Sequence, residues 1–537
     1  MTIEGTMPGI DTAADTTTPA GFTPAPDQPV ISRRAGIATG VAAALTLGLA
    51  PHRPAAAGRN QPNIIIINCD DLATTVYEAS TSLRRTLESR GLRFLNAIAN
   101  VPSCGPSRAC LFTGRYTQNN GVRSNVAPDG GWHAFADAGN EQDNLAIRLK
   151  RAGYRTGLVG KYMNDYELAD NTHVPDGWDD WHAWAGRGKY DRYMVNDNGT
   201  VSFYDIRDDA ANYETDRYTI MAQEFIASSR SRGPFFLYLA PHAPHMPAVP
   251  SSTYRGADAP STGPRTPAVN EADVSDKPSW IRTAPLLSAS KLRRSDKRFQ
   301  EQVRSMQSVD DMLKGVLKTL EDTGQLGNTW IFFTSDNGFF YGEHRIQSGK
   351  GALYEEGIRV PFVVIGPGVK PGQLGGNIST VDLAPTILAL AGQRATDLDG
   401  RSFKSMLTPT SVPERGATVL VQYGPRYIWE TTPPPTPAAA PSPAPKAAEE
   451  DPLRGGSFYG LRGVDWTYIF VVATGEYELY DNRHDPLQLV NIYPTMSPTA
   501  KTRLREGLTA LATCRGETCR AISATLPVTL GLWLEMV

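Results

Sequence analysis

Asn63-Ile64-Ile65-Ile66-Ile67-Asn68-Cys69 is an unbroken, largely β-branched run that stops on the acidic pair Asp70-Asp71. Four consecutive isoleucines leave no face for water, so the run predicts a strand covered on both sides, as inside a parallel sheet. Three further stretches share the plan. Tyr154–Gly160 leads to Lys161, Phe235–Ala240 leads to His242 and His245, and Trp330–Thr334 stops at Ser335-Asp336-Asn337-Gly338. Amphipathic helices are predicted between them. The clearest runs from about Phe299 to Thr323, with Val303, Met306, Val309, Leu313, Val316, Leu317 and Leu320 at helical spacing and Gly324 as a stop. Alternating strands and helices predict an α/β fold, which binds ligands at the carboxyl ends of its strands. The polar residues that follow these four runs are therefore expected to form one site.

The chain has 537 residues, enough for a large core and two structural units. Apolar residues at 40% and charged residues at 20% exclude wholesale disorder. A net charge of −3, from 53 basic and 56 acidic side chains, argues against nucleic acid or a membrane surface as a generic partner. No apolar run reaches the roughly 20 residues of a transmembrane helix. Near the N-terminus, Ser32-Arg33-Arg34 precedes an Ala/Gly/Leu run and His52-Arg53-Pro54-Ala55-Ala56-Ala57. This order resembles a twin-arginine signal, so residues 1–58 are expected to be a disordered tail and export signal. The chain is then expected to be secreted, or periplasmic and cell-surface.

An α/β unit is expected over 59–425, a Pro/Ala-rich loop over 426–457 and a C-terminal subdomain over 458–537. In the last, Tyr468–Val472 and Tyr477–Tyr480 flank Gly475 as a hairpin, before a helix near Pro498 to Ala512. Residues 246–297 read as a long excursion near the site. Cys69 and Cys110 read as inert buried thiols, and Cys514 with Cys519 as a candidate small surface disulfide after export. That leaves Cys104 unpaired.

Singly, the polar clusters have ordinary explanations: Asp70-Asp71 a helix cap, Asp336-Asn337-Gly338 a turn, His245 a loop residue. Together, three carboxylates and an amide carbonyl make a hard oxygen shell that suits Ca²⁺ or Mg²⁺ better than Zn²⁺. Ser103-Cys104-Gly105-Pro106-Ser107-Arg108 predicts a turn and then a helix opening near Ser107. Cys104 would then sit beside a helix N-terminus and Arg108, a setting that favours an anion.

Cys104-Gly105-Pro106-Ser107-Arg108 resembles the Cys-x-Pro-Ser-Arg pattern of the type I sulfatases. Asp70-Asp71, Gly160-Lys161-Tyr162, Asp336-Asn337-Gly338, Lys350–Glu356, Ile358-Arg359-Val360-Pro361 and Glu478-Leu479-Tyr480-Asp481 follow in that family's order. The resemblance implies an alkaline-phosphatase-like large mixed sheet flanked by helices, with a smaller C-terminal antiparallel sheet plus helix. It implies that a formylglycine-generating enzyme oxidises Cys104 to formylglycine, whose hydrate attacks sulfur to give a covalent sulfo-enzyme. Asp70, Asp71, Asp336, Asn337 and the modified Cys104 would hold Ca²⁺, with Mg²⁺ as the alternative. Arg108 would hold the hydrate, and Lys161, His245 and Lys350 the sulfate. His245, helped by Lys350, would protonate the leaving alcohol.

One position departs from the common pattern. Many arylsulfatases read Gly-Lys-x-His, whereas Met163 stands here in place of that His. The variant is similar to N-acetylglucosamine-6-sulfatases and extracellular heparan 6-O-endosulfatases, which also share a segment like Pro175-Asp176-Gly177-Trp178. The base for sulfate elimination is thereby left open. Asn164 is a candidate to orient water or substrate, and His242 and His344 are candidates for the base, His344 equally for anchoring its loop. The expected function is an exported sulfatase acting on a sulfated sugar or glycan. The alternatives are a phosphonate monoester or phosphodiester hydrolase, in which His tends to replace Asn337, and a non-catalytic sulfated-glycan binder. The last would predict loss of Cys104 or the carboxylates, and none is lost.

Overall fold

The isoleucine run forms β1 (Asn63–Cys69), buried along its whole length between two parallel neighbours. Its side chains alternate. Ile64 and Ile66 join one hydrophobic cluster, Ile65 and Ile67 the other, so the strand needs an apolar residue at each of these four successive positions. The computed structural model describes residues 61–166, 172–186, 188–408, 416–424 and 456–534. The expected tail and signal over 1–58 lie outside them, as does nearly all of the loop expected over 426–457.

The remaining strands of the large sheet are β2 (Leu92–Ile98), β3 (Arg155–Gly160), β4 (Asp180–Trp184), β5 (Arg192–Asp197), β6 (Thr200–Asp205), β7 (Phe235–Ala240), β8 (Thr329–Ser335), β9 (Phe362–Ile365) and β10 (Gly372–Ser379). Their order is β10-β2-β9-β8-β1-β7-β3-β4-β5-β6. The sheet is mixed, but its centre, β8-β1-β7-β3, is parallel throughout. All four strands therefore end at the same edge, and they are the four singled out from the sequence.

Helices cover both faces. α1 (Cys104–Thr113) packs Ala109, Leu111 and Phe112 on the Ile64 side. α2 (Glu214–Ser229) and α3 (Ala289–Asp322) cover the Ile65 side, α3 through Val303, Met306, Val309, Leu313, Val316, Leu317 and Leu320. Each such side chain contributes about 1.5–3 kcal/mol on full burial. α3 begins ten residues before the predicted start, where Ser288 accepts from the Lys291 N–H. Its first turns are mostly exposed and charged, so no apolar period marks them.

The smaller sheet is antiparallel, in the order β11 (Val419–Tyr423), β12 (Phe458–Arg462), β13 (Trp466–Val471) and β14 (Glu476–Asp481). Its first strand precedes the Pro/Ala-rich stretch, within the residues expected to belong to the α/β unit, and pairs with β12 across it. One face carries Tyr459, Tyr468 and Leu479 against Leu504, Leu508 and Leu511 of α4 (Pro498–Thr513). Cys514 and Cys519 are disulfide-bonded in the same cluster, buried rather than on the surface as expected. The other face carries Phe458, Ile469 and Tyr480 against Phe340, Leu353, Tyr354 and Ile358, which flank Lys350 in sequence. Among the described residues, no helix is long and apolar enough to cross a membrane.

Candidate active site

Asp70 and Asp71 follow β1, Lys161 follows β3, His242 and His245 follow β7, and Asp336 and Asn337 follow β8; all are buried. Two glycines permit the close passages this requires. Gly160 has φ +105, and a Cβ there would lie 2.1 Å from the Ala240 carbonyl oxygen, which instead accepts from Lys161 N–H at 2.9 Å. A Cβ on Gly338 would lie 2.0 Å from the Glu356 carbonyl. Asp71 has φ +61, an uncommon conformation for a residue other than glycine.

Cys104 opens α1, three residues before the predicted start. Pro106 reads as part of a turn, yet it falls in the first helical turn, where a missing N–H costs nothing. Asn125 Oδ1 accepts from Gly105 N–H at 2.9 Å and from the Ser103 hydroxyl at 3.0 Å, tying the helix start to the 121–131 loop. The Cys104 sulfur lies 3.1 Å from Asp70, 3.6 Å from Asp71 and 2.6 Å from Lys350 Nζ. Burial pushes its thiol well above the ordinary range, and Asp336 and Asp70 push the same way against Lys161 and Lys350. An unmodified Cys104 is thus a protonated, weak nucleophile.

Three cations face three carboxylates. Lys161 Nζ is 2.7 Å from Asp70, Lys350 Nζ is 2.5 Å from Asp71, and Arg108 Nη2 is 2.8 Å from Asp336. Burial opposes ionisation of Asp70, yet Lys161, His245 and Arg108 hold it well below the usual range. Asp71 is lowered likewise, Lys350 and His245 outweighing burial. Asp336 goes the other way. Burial and the Asp70 charge push it up to about 6 despite Arg108.

Asp70, Asp71, Cys104 and His245 offer ligand atoms within 4.8 Å of one another, a group able to hold a metal ion. Asp336 adjoins it through the Asp71 N–H at 3.1 Å. Asn337 donates to Asp71 at 2.8 Å, and its own Oδ1 is buried with no hydrogen-bond partner. An orphaned amide oxygen among three carboxylates fits a hard divalent cation.

The histidines separate clearly. His245 Nε2 lies 3.7 Å from Asp71, and burial pushes its pKa down to about 3 against the pull of Asp70 and Asp71. His242 Nδ1 lies 2.5 Å from Glu214 of α2, its Nε2 is unpartnered, and burial lowers its pKa despite Glu214. His344 is held 2.7 Å from Glu271 and 3.7 Å from Glu356 and stacks on Tyr354; against the effect of burial, the two carboxylates raise its pKa to about 9. These contacts tie the ring and its loop to Glu271, Glu356 and Tyr354. Met163 is packed in the core, whereas Asn164 Oδ1 is unpartnered and lies beside Gly105.

Sequence reasoning missed Glu214, Asn125, Tyr238 and Lys189. Tyr238 is 3.3 Å from Arg108, and Lys189 Nζ is 3.0 Å from His245 Nδ1. Tyr238 lies within the β7 run itself, where an alternating strand gives no sign of which side chain turns to the site, and Glu214, Asn125 and Lys189 belong to none of the quoted motifs.

A family model described as Sulfatase matches residues 62–393, more than half of the chain. The N-acetylglucosamine-6-sulfatases of Capra hircus and Homo sapiens are each 31% identical over 87% of this chain, covering 86% and 87% of their own lengths. An arylsulfatase of Volvox carteri is 28% identical over 87% of this chain and 76% of its own. In fold, the chain is similar to a protein solved in complex with its substrate D-glucosamine-2-N,6-O-disulfate. That match has a TM-score of 0.64 and 22% identity over 86% of this chain and 98% of the other. It is also similar in fold to a phosphonate monoester hydrolase of Agrobacterium radiobacter, with a TM-score of 0.61 and 21% identity over 88% and 97%. Solved structures this distant speak to the fold alone. The family model and the two mammalian relatives go further: the chain belongs to the sulfatase family and is a sulfuric ester hydrolase.

Proposed function

We propose that the protein is an exported sulfatase that removes sulfate from a sugar, with formylglycine made from Cys104 as its nucleophile. The observation that carries this is the setting of Cys104: a helix start against two buried aspartates and a lysine, where a free thiol would be inert. A formylglycine hydrate supplies one hydroxyl to attack sulfur and a second whose proton loss expels sulfate. Ca²⁺, or Mg²⁺ in its place, fits the oxygens of Asp70, Asp71, Asp336 and Asn337, and would draw electron density from a sulfate oxygen.

The chain's own residues do the rest. Arg108 orients position 104, while Lys161 and Lys350 offset the charge of the sulfate. His245 turns Nε2 toward the pocket and hands a proton to the departing sugar oxygen. Asn164, beside Gly105, and His242, whose Nε2 is open, are placed for water or sugar hydroxyls. The likeness to N-acetylglucosamine-6-sulfatases points to a sulfated aminosugar. Residues 1–58 would serve as the twin-arginine signal, with modification by a formylglycine-generating enzyme before export.

Comparing turnover of nitrophenyl sulfate, a nitrophenyl phosphodiester and glucosamine 6-sulfate tests this function. Both sulfates should be hydrolysed well and the phosphodiester poorly. Preference for the phosphodiester would favour the phosphonate hydrolase alternative.

A further inference from the structure

We propose that Lys189 is a positioning residue that acts through His245, supplying the proton that this histidine passes on. The proposal rests on His245 being the acid for the leaving group. His245 Nε2 faces the carboxylate pocket, while Nδ1 faces two groups that ask for opposite things. The Lys189 ammonium lies 3.0 Å away, and the Met246 carbonyl oxygen lies 2.5 Å away. An ammonium only donates and a carbonyl only accepts, so a single neutral tautomer cannot satisfy both. With Lys189 donating to Nδ1, the ring proton sits on Nε2 and faces the pocket. With Nδ1–H donated to Met246, Nε2 is bare.

The two contacts are therefore the two ends of one proton movement. As the S–O bond breaks, its electron pair goes to the sugar oxygen, which takes the proton from Nε2. Lys189 passes a proton to Nδ1, the ring stays neutral, and the lysine is left as an amine. The new Nδ1–H is accepted by the Met246 carbonyl. Once the alcohol has left, water entering the pocket supplies one proton to Nε2 while Nδ1–H returns to the Lys189 amine, which restores the ammonium and the starting tautomer.

The position is built into the fold. Lys189 lies on the turn between β4 and β5, where Gly186 and Gly188 have φ +94 and +99. Trp184 Nε1 donates to the Gly188 carbonyl at 2.8 Å. The next residue, Tyr190, is fully buried, and its hydroxyl donates to the His245 carbonyl at 2.5 Å and lies 3.3 Å from that of His242. One side chain thus clamps the lysine turn to the histidine segment.

The test is leaving-group dependence in the modified holoenzyme, with Lys189→Met, Lys189→Arg and His245→Ala compared on glucosamine 6-sulfate and nitrophenyl sulfate. A sugar alkoxide needs its proton far more than a nitrophenolate. Lys189→Met should therefore slow the sugar sulfate on the order of 10²-fold and nitrophenyl sulfate far less. Lys189→Arg keeps the charge but does not give up a proton, so it should behave like Lys189→Met. Equal slowing of both substrates by Lys189→Met, no slowing, or recovery in Lys189→Arg would overturn the proposal. If His245→Ala shows the dependence and Lys189→Met does not, this inference fails alone. If His245→Ala shows none, the assignment of His245 as acid fails and takes this inference with it.

Discussion

Arg108 limits what can be changed at the carboxylate pocket. Its guanidinium is wholly buried and donates to Asp336 through Nε at 2.9 Å and to the Lys161 carbonyl at 2.7 Å. Asp336→Ala would strand that charge, a loss of about 3–5 kcal/mol for a broken buried pair, so lost activity would not separate chemistry from folding. Asp336→Asn keeps the shape and an acceptor for Arg108 while removing a negative ligand. Chelation should abolish turnover of the unaltered protein and lower its Tm, and Ca²⁺ should restore both. A ligand at a hundred times its Kd stabilises by about 2.7 kcal/mol. Asp336→Asn should keep its circular dichroism spectrum, lose activity and show no Tm response to Ca²⁺. A fully active Asp336→Asn, or rescue by Zn²⁺ alone, would refute the oxygen-ligand assignment.

At the level of elements, the small sheet and the loop carrying Lys350 meet over a buried carboxylate. Glu478 on β14 accepts from the Tyr354 hydroxyl at 2.8 Å and from that of Tyr480, and burial pushes its pKa up to about 7. The folded chain thus holds a proton that the unfolded chain loses near pH 4.5. This contribution is complete below that pH and is lost as pH rises through about 7, a change on the order of 3 kcal/mol. Glu478→Gln keeps an acceptor and cannot ionise, so its Tm should fall less between pH 5 and 8 than that of the unaltered protein. Parallel curves would refute the burial argument. The four strands were legible because a continuous apolar run needs two covered faces. Their adjacency as β8-β1-β7-β3 was not, since β1 and β8 are separated by more than 200 residues. The start of α1 was hidden by Pro106, and β11 by the Pro/Ala stretch that separates it from β12. Lys189 and Glu214 left no trace, because a lone charged residue in a turn or at a helix start reads as solvated surface.

Across the whole molecule, ten strands and their flanking helices bring one cysteine to a place where its thiol has no nucleophilic use. The carboxylates raise it, the lysine beside it is tied to Asp71, and burial keeps it protonated. A net charge of −3 gives no general attraction for an anion, so in the proposed function recognition of a sulfated sugar would rest on the local cations at this pocket. Everything proposed for turnover depends on position 104 carrying an aldehyde. The most direct measurement is mass spectrometry of the tryptic peptide Phe94–Arg108, made on preparations of different specific activity. Formylglycine should replace Cys104, and turnover of sulfate esters should rise in proportion to the modified fraction. Full activity in protein that carries only unmodified cysteine at position 104 would contradict it.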